Sequence, residues 1–144
     1  MKIVKLKTKT KALKEFEKTE WGRVHPEHYG HEIDWNFWEK VKFRLAAKEG
    51  NKIIGKLAGH HMAGVMYIGE ILIAEGKRGQ GVGRALMAEA EKLAKRKKFH
   101  KIYLETGVGW KAVEFYEKLG YQKEARLEKL WEGKDFWIMS KFLK

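Results

Sequence analysis

Hydrophobic and polar residues alternate along some stretches of the chain and recur at helical spacing along others. The first stretch, Met1–Leu6, alternates and predicts a short strand, and Lys11–Thr19 predicts a helix with Leu13 and Phe16 on one face. The segment RVHPEHYGHEIDWNFWEKV predicts a loop followed by a second helix. One face of that helix would carry the apolar residues Ile33, Phe37, Trp38 and Val41.

The next part of the chain has the alternation of a β-hairpin. Phe43, Leu45 and Ala47 alternate with polar residues, the turn falls at Glu49–Gly50–Asn51, and Lys52–Ala58 forms the returning strand. VMYIGEILIA is more continuously apolar and therefore predicts a third strand with a central place in the sheet.

Helices and strands alternate through the remaining chain. A glycine-rich loop leads into a long helix over about Val82–Lys98, and KIYLET and WKAVEFYEKLG follow as a strand and a helix that ends at Gly120. The tail predicts two strands that turn near Glu132–Asp135. We therefore predict one α/β domain over residues 1–144, with a mixed, mostly antiparallel sheet flanked by helices.

Composition limits the classes of function. With 144 residues, of which 44% are hydrophobic, the chain is long enough for one folded domain. It has no cysteine, which excludes disulfides, thiolate catalysis and cysteine-based zinc sites. Because no apolar run has the length of a membrane span and the N-terminus lacks the core of a signal peptide, we expect a cytoplasmic protein without a membrane partner.

Two features raise the question of other ligands. The net charge of +12 fits either a lysine-rich solvated surface or a polyanionic ligand, and most lysines alternate with glutamates along the helices. His25, His28 and His31 have the spacing H-x-x-H-x-x-H. Pro26 and Gly30 are expected to interrupt the helix that would align the imidazoles, so we predict no metal there.

The segment GKRGQGVGRAL is the most informative stretch. Glycines between a strand and a helix leave backbone N–H groups bare at the positive end of the helix dipole, which suits a pyrophosphate. Arg78 and Arg84 could add charge-assisted contacts. The letters fit neither G-x-G-x-x-G nor G-x-x-x-x-G-K-[ST], the dinucleotide and nucleoside-triphosphate signatures.

Arg78-Gly79-Gln80-Gly81-Val82-Gly83 does fit R-x-x-G-x-G, and it follows the strand EILIA. This hexapeptide resembles motif A of the GNAT superfamily of acetyl-CoA-dependent N-acetyltransferases. KIYLET with AVEFYEKLGY resembles the superfamily's motif B. The resemblance covers nearly the whole chain and is strongest from Glu70 to Tyr121.

The resemblance implies a binding mode for acetyl-CoA. Backbone N–H groups of the loop would hold the pyrophosphate, and the strand before it would pair with the pantetheine arm. In this chain these residues are Gly79, Gln80, Gly81, Val82, Gly83 and Arg84 for the loop, with Arg78, and Ile71, Leu72 and Ile73 for the strand. The family's two parallel strands splay apart around the thioester, and a β-bulge at Gly69 would start that splay.

Acetyl transfer to an amine requires a base, an oxyanion stabiliser and a proton for the leaving thiolate. Tyr116 is the first candidate for the acid, against the alternative of a core aromatic residue. Glu105 is the first candidate for the base, Glu70 is its rival, and Tyr67 is a third choice. A solvated or salt-bridged glutamate is the alternative for each carboxylate. A backbone N–H of Leu72–Ile73 would meet the oxyanion.

We therefore predict an N-acetyltransferase that uses acetyl-CoA and a primary amine in a ternary complex. The alternatives are a basic nucleic-acid-binding module, for which no RNA- or DNA-binding signature is present, and a GNAT fold that binds CoA without transfer activity. The identity of the amine stays open. The oligomeric state stays open as well, a homodimer included.

Overall fold

A computed structural model describes residues 1–144 in two units, 1–36 and 37–144. The first unit contains one helix, α1 (Lys11–Tyr29). The hydroxyl of Thr10 accepts a hydrogen bond from the Leu13 backbone N–H at 3.2 Å and caps the start of α1. Gly30, with a left-handed φ of 77°, ends the helix by donating its N–H to the Pro26 carbonyl at 2.9 Å.

Three predictions for the N-terminal part were wrong. Residues 1–6 form no strand, because alternation alone gives a segment no neighbouring strand to bond with. The helix α1 continues through Pro26, whose missing N–H costs only one bond in the last turn. The second helix with Ile33, Phe37, Trp38 and Val41 is absent. There, Asp34 Oδ1 accepts the Asn36 N–H at 3.0 Å, a local turn that replaces the helical bond.

The second unit is a six-stranded sheet with two helices. Its strands are β1 (Val41–Glu49), β2 (Lys52–Met62), β3 (Val65–Ile73), β4 (Lys101–Gly107), β5 (Gln122–Leu127) and β6 (Phe136–Phe142). Its helices are α2 (Val82–Arg96) and α3 (Ala112–Lys118), and short 3-10 turns lie at Glu75–Lys77 and Trp131–Gly133. These bounds confirm the predicted hairpin, the long helix and the closing pair of strands.

The strand order is β1-β2-β3-β4-β6-β5, and only β3 and β4 run parallel. The predicted mixed, mostly antiparallel sheet is thus confirmed, as is the interior place of the third strand. Side chains alternate across the sheet, and one face packs on α2 and α3. Its core residues are Leu57, Met66, Ile68, Leu86, Met87, Ala90, Ala94, Ile102, Leu104, Val113, Tyr116, Tyr121 and Met139.

A β-bulge at Gly69 opens the sheet between β3 and β4. Opposite β2, Ile68 pairs with Gly59 and Glu70 pairs with Ala58, so Gly69 is the extra residue without a partner. The parallel pairing with β4 stops at the same place, since the register covers only Val65–Ile68 of β3. The predicted bulge is confirmed, and a gap opens where the two strands separate.

Candidate active site

The glycine-rich loop leaves backbone donors free at the start of α2. Gly79 and Gly81 have left-handed φ angles of 75° and 85°, which turn the chain tightly into the helix. The first backbone bond of the helix runs from the Ala85 N–H to the Gly81 carbonyl at 3.0 Å. The N–H groups of Val82, Gly83 and Arg84 therefore lack intrahelical acceptors and lie at the positive end of the helix dipole.

A cavity of about 380 Å³ lies in front of these donors, and we call it the loop cavity. It is lined by Ile71, Ile73, Lys77, Arg78, Gly79, Gly81, Val82, Gly83, Arg84, Ala112, Phe115 and Tyr116. Of the residues predicted to bind the coenzyme, only Leu72 and Gln80 are not in its wall. The Gln80 side chain instead donates to the Gly76 carbonyl at 3.1 Å, within the loop.

The backbone of β3 has a free edge that faces the gap. The Ala74 N–H donates to the Ile54 carbonyl of β2 at 2.9 Å. Because backbone groups alternate in direction along an antiparallel strand, Leu72 also directs its N–H and C=O toward β2. Ile71 and Ile73 direct theirs the other way, toward the gap beyond Ile68.

A second cavity, of about 470 Å³, fills the gap between the strands, and we call it the cleft. Its wall is formed by Tyr67, Ile68, Gly69, Glu70, Ile71, Leu104, Glu105, Thr106, Trp110, Ala112, Tyr116, Trp131 and Phe136. Ile71, Ala112 and Tyr116 line both the cleft and the loop cavity. The two cavities therefore meet at Tyr116.

Tyr116 is the titratable residue at this junction. It lies in α3 and is 6% exposed, with its ring against those of Phe115 and Tyr121. Burial raises the pKa of the Tyr116 hydroxyl to about 12, because the charged phenolate loses hydration there. The hydroxyl is therefore protonated at neutral pH and can donate a hydrogen bond into the cavities.

Glu105 is held on the floor of the cleft by two donors. Its Oε2 accepts hydrogen bonds from the Tyr67 hydroxyl at 3.2 Å and from the Trp131 indole N–H at 2.8 Å. Burial, with the neighbouring Glu105 charge, raises the pKa of Tyr67 to about 12, so Tyr67 acts as a donor rather than a base near neutral pH. Both donors bond to the same oxygen, Oε2, and not to Oε1.

The rival carboxylate, Glu70, has a different environment. It also lines the cleft, but its side chain is 53% exposed and forms a salt bridge with the Lys56 ammonium. The structure thus brings Tyr116, Glu105 and Glu70 to one cleft and distinguishes the carboxylates by their partners.

Three aromatic residues of the cleft wall were not recognised in the sequence as part of the site. Trp110 and Trp131 are 55% and 58% exposed, and they line the cleft together with Phe136. Trp131 lies in the turn between β5 and β6, outside any strand. Its place beside the turn sequence EGKD was the one available signal, because a tryptophan in a turn has few core neighbours.

The structure contains neither a metal-binding cluster nor a membrane-spanning helix. No three histidine or carboxylate side chains come together as a group that could hold a metal ion. No helix combines the length and the hydrophobicity needed to cross a lipid bilayer.

Two sequence comparisons match this chain to acetyltransferases. A sequence model of the acetyltransferase (GNAT) family matches residues 10–121. Acetyltransferase Atu2258 of Agrobacterium fabrum is 30% identical over 95 residues, which are 65% of this chain and 69% of that protein.

Solved structures agree with this match. A crystal structure of an acetyltransferase from Bacillus cereus ATCC 14579 has a TM-score of 0.69 and 25% identity, with 97% of this chain and 98% of that chain covered. A chain of the NatC complex, crystallised with Gag peptide and CoA, has a TM-score of 0.61 over 72% of this chain and 71% of its own. Its identity of 22% shows a shared fold alone.

Proposed function

The chain belongs to the acetyltransferase (GNAT) family, and on that premise we propose that it transfers the acetyl group of acetyl-CoA to a primary amine. The observation that carries this proposal is the junction of the loop cavity and the cleft at Tyr116. A coenzyme whose diphosphate is bound at the helix start would present its thioester at that point to an amine in the cleft. Both substrates would be bound at the same time, in a ternary complex, and the amine would attack the thioester directly.

The loop cavity fits the coenzyme. Free N–H groups between Gly81 and Ala85 would bind the pyrophosphate, and the Arg78 and Arg84 side chains would pair with it at the rim. The NatC chain of similar fold was crystallised with CoA, which supports this assignment. The backbone groups of Ile71 and Ile73 would pair with the pantetheine amides as an added strand and direct the thioester into the gap.

Glu105 is assigned as the base. An alkyl amine has a reference pKa near ~10.4, so most of it is protonated at neutral pH and must lose a proton before attack. The hydrogen bonds from Tyr67 and Trp131 fix Glu105 in the cleft. Glu70 is a weaker candidate, since it is half exposed and pairs with Lys56. Glu105 would take the proton directly or through one water molecule.

Tyr116 is assigned as the donor to the leaving sulfur. As the amine nitrogen bonds to the acetyl carbon, the C–S bond breaks and the sulfur carries the electron pair. The reference pKa of a thiol is ~8.5, so a phenol with a pKa of about 12 is the weaker acid. Tyr116 therefore stabilises the sulfur by donating a hydrogen bond as the C–S bond breaks. Full transfer of its proton to the thiolate is uphill, and any phenolate that forms takes a proton back from the solvent.

The test combines binding and turnover. Calorimetry should detect CoA binding, and a thiol reagent should detect CoA release when acetyl-CoA and a primary amine are both present. Because the chain has no cysteine, the protein adds no thiol signal. Loss of the general acid typically lowers a rate about 100- to 10,000-fold, and Tyr116→Phe should lower kcat in this range while CoA still binds.

The control is Tyr103→Phe, since the Tyr103 ring lies 5.0 Å from that of Tyr67 between centroids but lines neither the loop cavity nor the cleft. Its kcat should stay close to that of the unmodified protein. Absence of CoA binding would refute the proposed function. Binding without thiol release for any amine would support the alternative of a fold that binds CoA without transfer. Stabilisation by RNA alone would support the nucleic-acid alternative.

A further inference from the structure

A third cavity, of about 330 Å³, adjoins the cleft and has no part in the proposed reaction. We call it the basic groove. Its wall consists of Lys40, Lys42, Ala58, Gly59, His60, Tyr67, Gly69 and Glu70. Tyr67, Gly69 and Glu70 also line the cleft, so a single ligand could extend from one cavity into the other.

Strand pairing builds this groove. Lys42 of β1 lies opposite His60 of β2, and His60 lies opposite Tyr67 of β3. Residues that pair across neighbouring strands share a face of the sheet, so these three side chains form a row. The His60 and Tyr67 rings are 5.1 Å apart between centroids. The row therefore runs from a lysine at the edge strand to the tyrosine that holds Glu105.

The groove is positively charged. Neither Lys40 nor Lys42 forms a salt bridge, whereas Lys56 nearby is neutralised by Glu70. Burial lowers the pKa of His60, and the charges of Lys40, His61 and Lys42 lower it further. The imidazole is therefore neutral at neutral pH and keeps one N–H that can donate to an anion.

The cleft, in contrast to the basic groove, suits a positively charged ligand group. The Glu105 carboxylate lies there among the aromatic rings of Tyr67, Trp110, Trp131 and Phe136. Carboxylates attract ammonium groups, and aromatic faces attract them through the ring quadrupole. One end of the combined cavity thus suits a cation and the other an anion.

We propose that the acceptor is a primary amine that also carries an anionic group, with the amine beside Glu105 and the anion in the basic groove. This inference rests on the proposed function. The two groups would be separated by about one tyrosine side chain, since Tyr67 contacts Glu105 at 3.2 Å and the His60 ring at 5.1 Å. A diamine is disfavoured, because its second ammonium would face Lys40 and Lys42.

The test compares amines of one chain length that differ only at the far end. These are 6-aminohexanoate, 6-aminohexyl phosphate, hexylamine and 1,6-diaminohexane, each assayed with acetyl-CoA by thiol release. Exposed ion pairs each change an equilibrium about 1.5- to 5-fold, so two lysines should give a preference of about tenfold in kcat/KM for an anionic acceptor over the diamine. The kcat/KM for hexylamine should lie between the values for the anionic acceptors and the diamine. Comparison of 6-aminohexanoate with 6-aminohexyl phosphate shows whether the groove prefers a carboxylate or a phosphate.

The double variant Lys40→Ala/Lys42→Ala should remove this preference. Its matched control is Lys48→Ala/Lys52→Ala, at the β1–β2 turn, which removes the same charge outside the basic groove. The control should keep the preference. High salt should weaken the preference in the unmodified protein, because salt screens exposed charges.

Equal or better use of the diamine would overturn this inference, as would a preference that survives in the lysine variant. In either case the transfer to hexylamine leaves the proposed function standing. Loss of transfer to every amine would overturn both the inference and the proposed function.

Discussion

Substitution of Gly83 by alanine gives the sharpest test of the glycine-rich loop, because stability and coenzyme binding should change in opposite directions. Gly83 lies in the first turn of α2, and its φ is not left-handed. An added Cβ would lie 3.3 Å from Phe115 Cζ and 3.8 Å from Ile71 Cδ1. The methyl group would therefore lie between two side chains that both line the loop cavity.

The expected stability change follows from the helix. Glycine costs a helix about 0.5–1 kcal/mol relative to alanine, because the free chain loses more entropy. The Phe115 ring lines an open cavity and can move the few tenths of an ångström that the methyl group requires. In a chain of this size, about 1 kcal/mol corresponds to roughly 3–4 °C in Tm. Without ligand, Gly83→Ala should therefore raise Tm by about 2–4 °C.

The expected loss of affinity is larger. The added methyl group takes up space in the loop cavity between Phe115 and Ile71. A phosphate oxygen that approaches the backbone N–H to about 2.8 Å there has to shift, and at least one hydrogen bond to a charged oxygen should weaken. Such a bond contributes about 1.5–3 kcal/mol, so the Kd for CoA should rise about 10- to 100-fold.

The assay is calorimetric titration with CoA, together with thermal unfolding of the ligand-free protein. Gly22→Ala is the matched control. Gly22 lies inside α1, and a Cβ there would have no heavy atom within 4 Å. That control should raise Tm by a similar amount and leave the Kd for CoA unchanged. An unchanged Kd in Gly83→Ala would refute the assignment of this backbone as the pyrophosphate site.

Three further predictions concern side chains of the site. Glu105→Gln should lower kcat about 100-fold or more while Glu70→Gln stays near the unmodified value, and the deficit should shrink as the pH approaches the amine pKa of ~10.4, measured as a pH–rate profile. Arg84→Ala should raise the Kd for CoA at low salt by more than Arg96→Ala, which removes a charge at the far end of α2, and the difference should fall in high salt. Tyr116 has a folded-state pKa of about 12, above its unfolded value of ~10, so its contribution to stability is complete below pH ~10 and lost as the pH rises through 12. Thermal unfolding between pH 9 and 12 should show a shallower loss of Tm for Tyr116→Phe; an equal slope would contradict this reasoning.

The N-terminal part of the chain differs from what its hydrophobic pattern predicts. Alternation over residues 1–6 gave no strand, since a strand forms only with a hydrogen-bonded neighbour. The helical spacing after Gly30 gave no second helix, because the Asp34 side chain bonded the Asn36 backbone instead. Both errors concern the hydrogen-bond partners of the backbone, which apolar spacing does not describe.

The sequence alone was enough for the loop and the sheet. From Gly79 to Arg84, the free N–H groups and tight turns are properties of contiguous residues, and strand alternation follows from a local period of two. The cleft required the tertiary structure. Glu105 meets Trp131 and Tyr67 across 26 and 38 residues of sequence, and the row of Lys42, His60 and Tyr67 exists only through the strand register. Contacts of this kind depend on how distant strands align, and local propensity carries no information on that alignment.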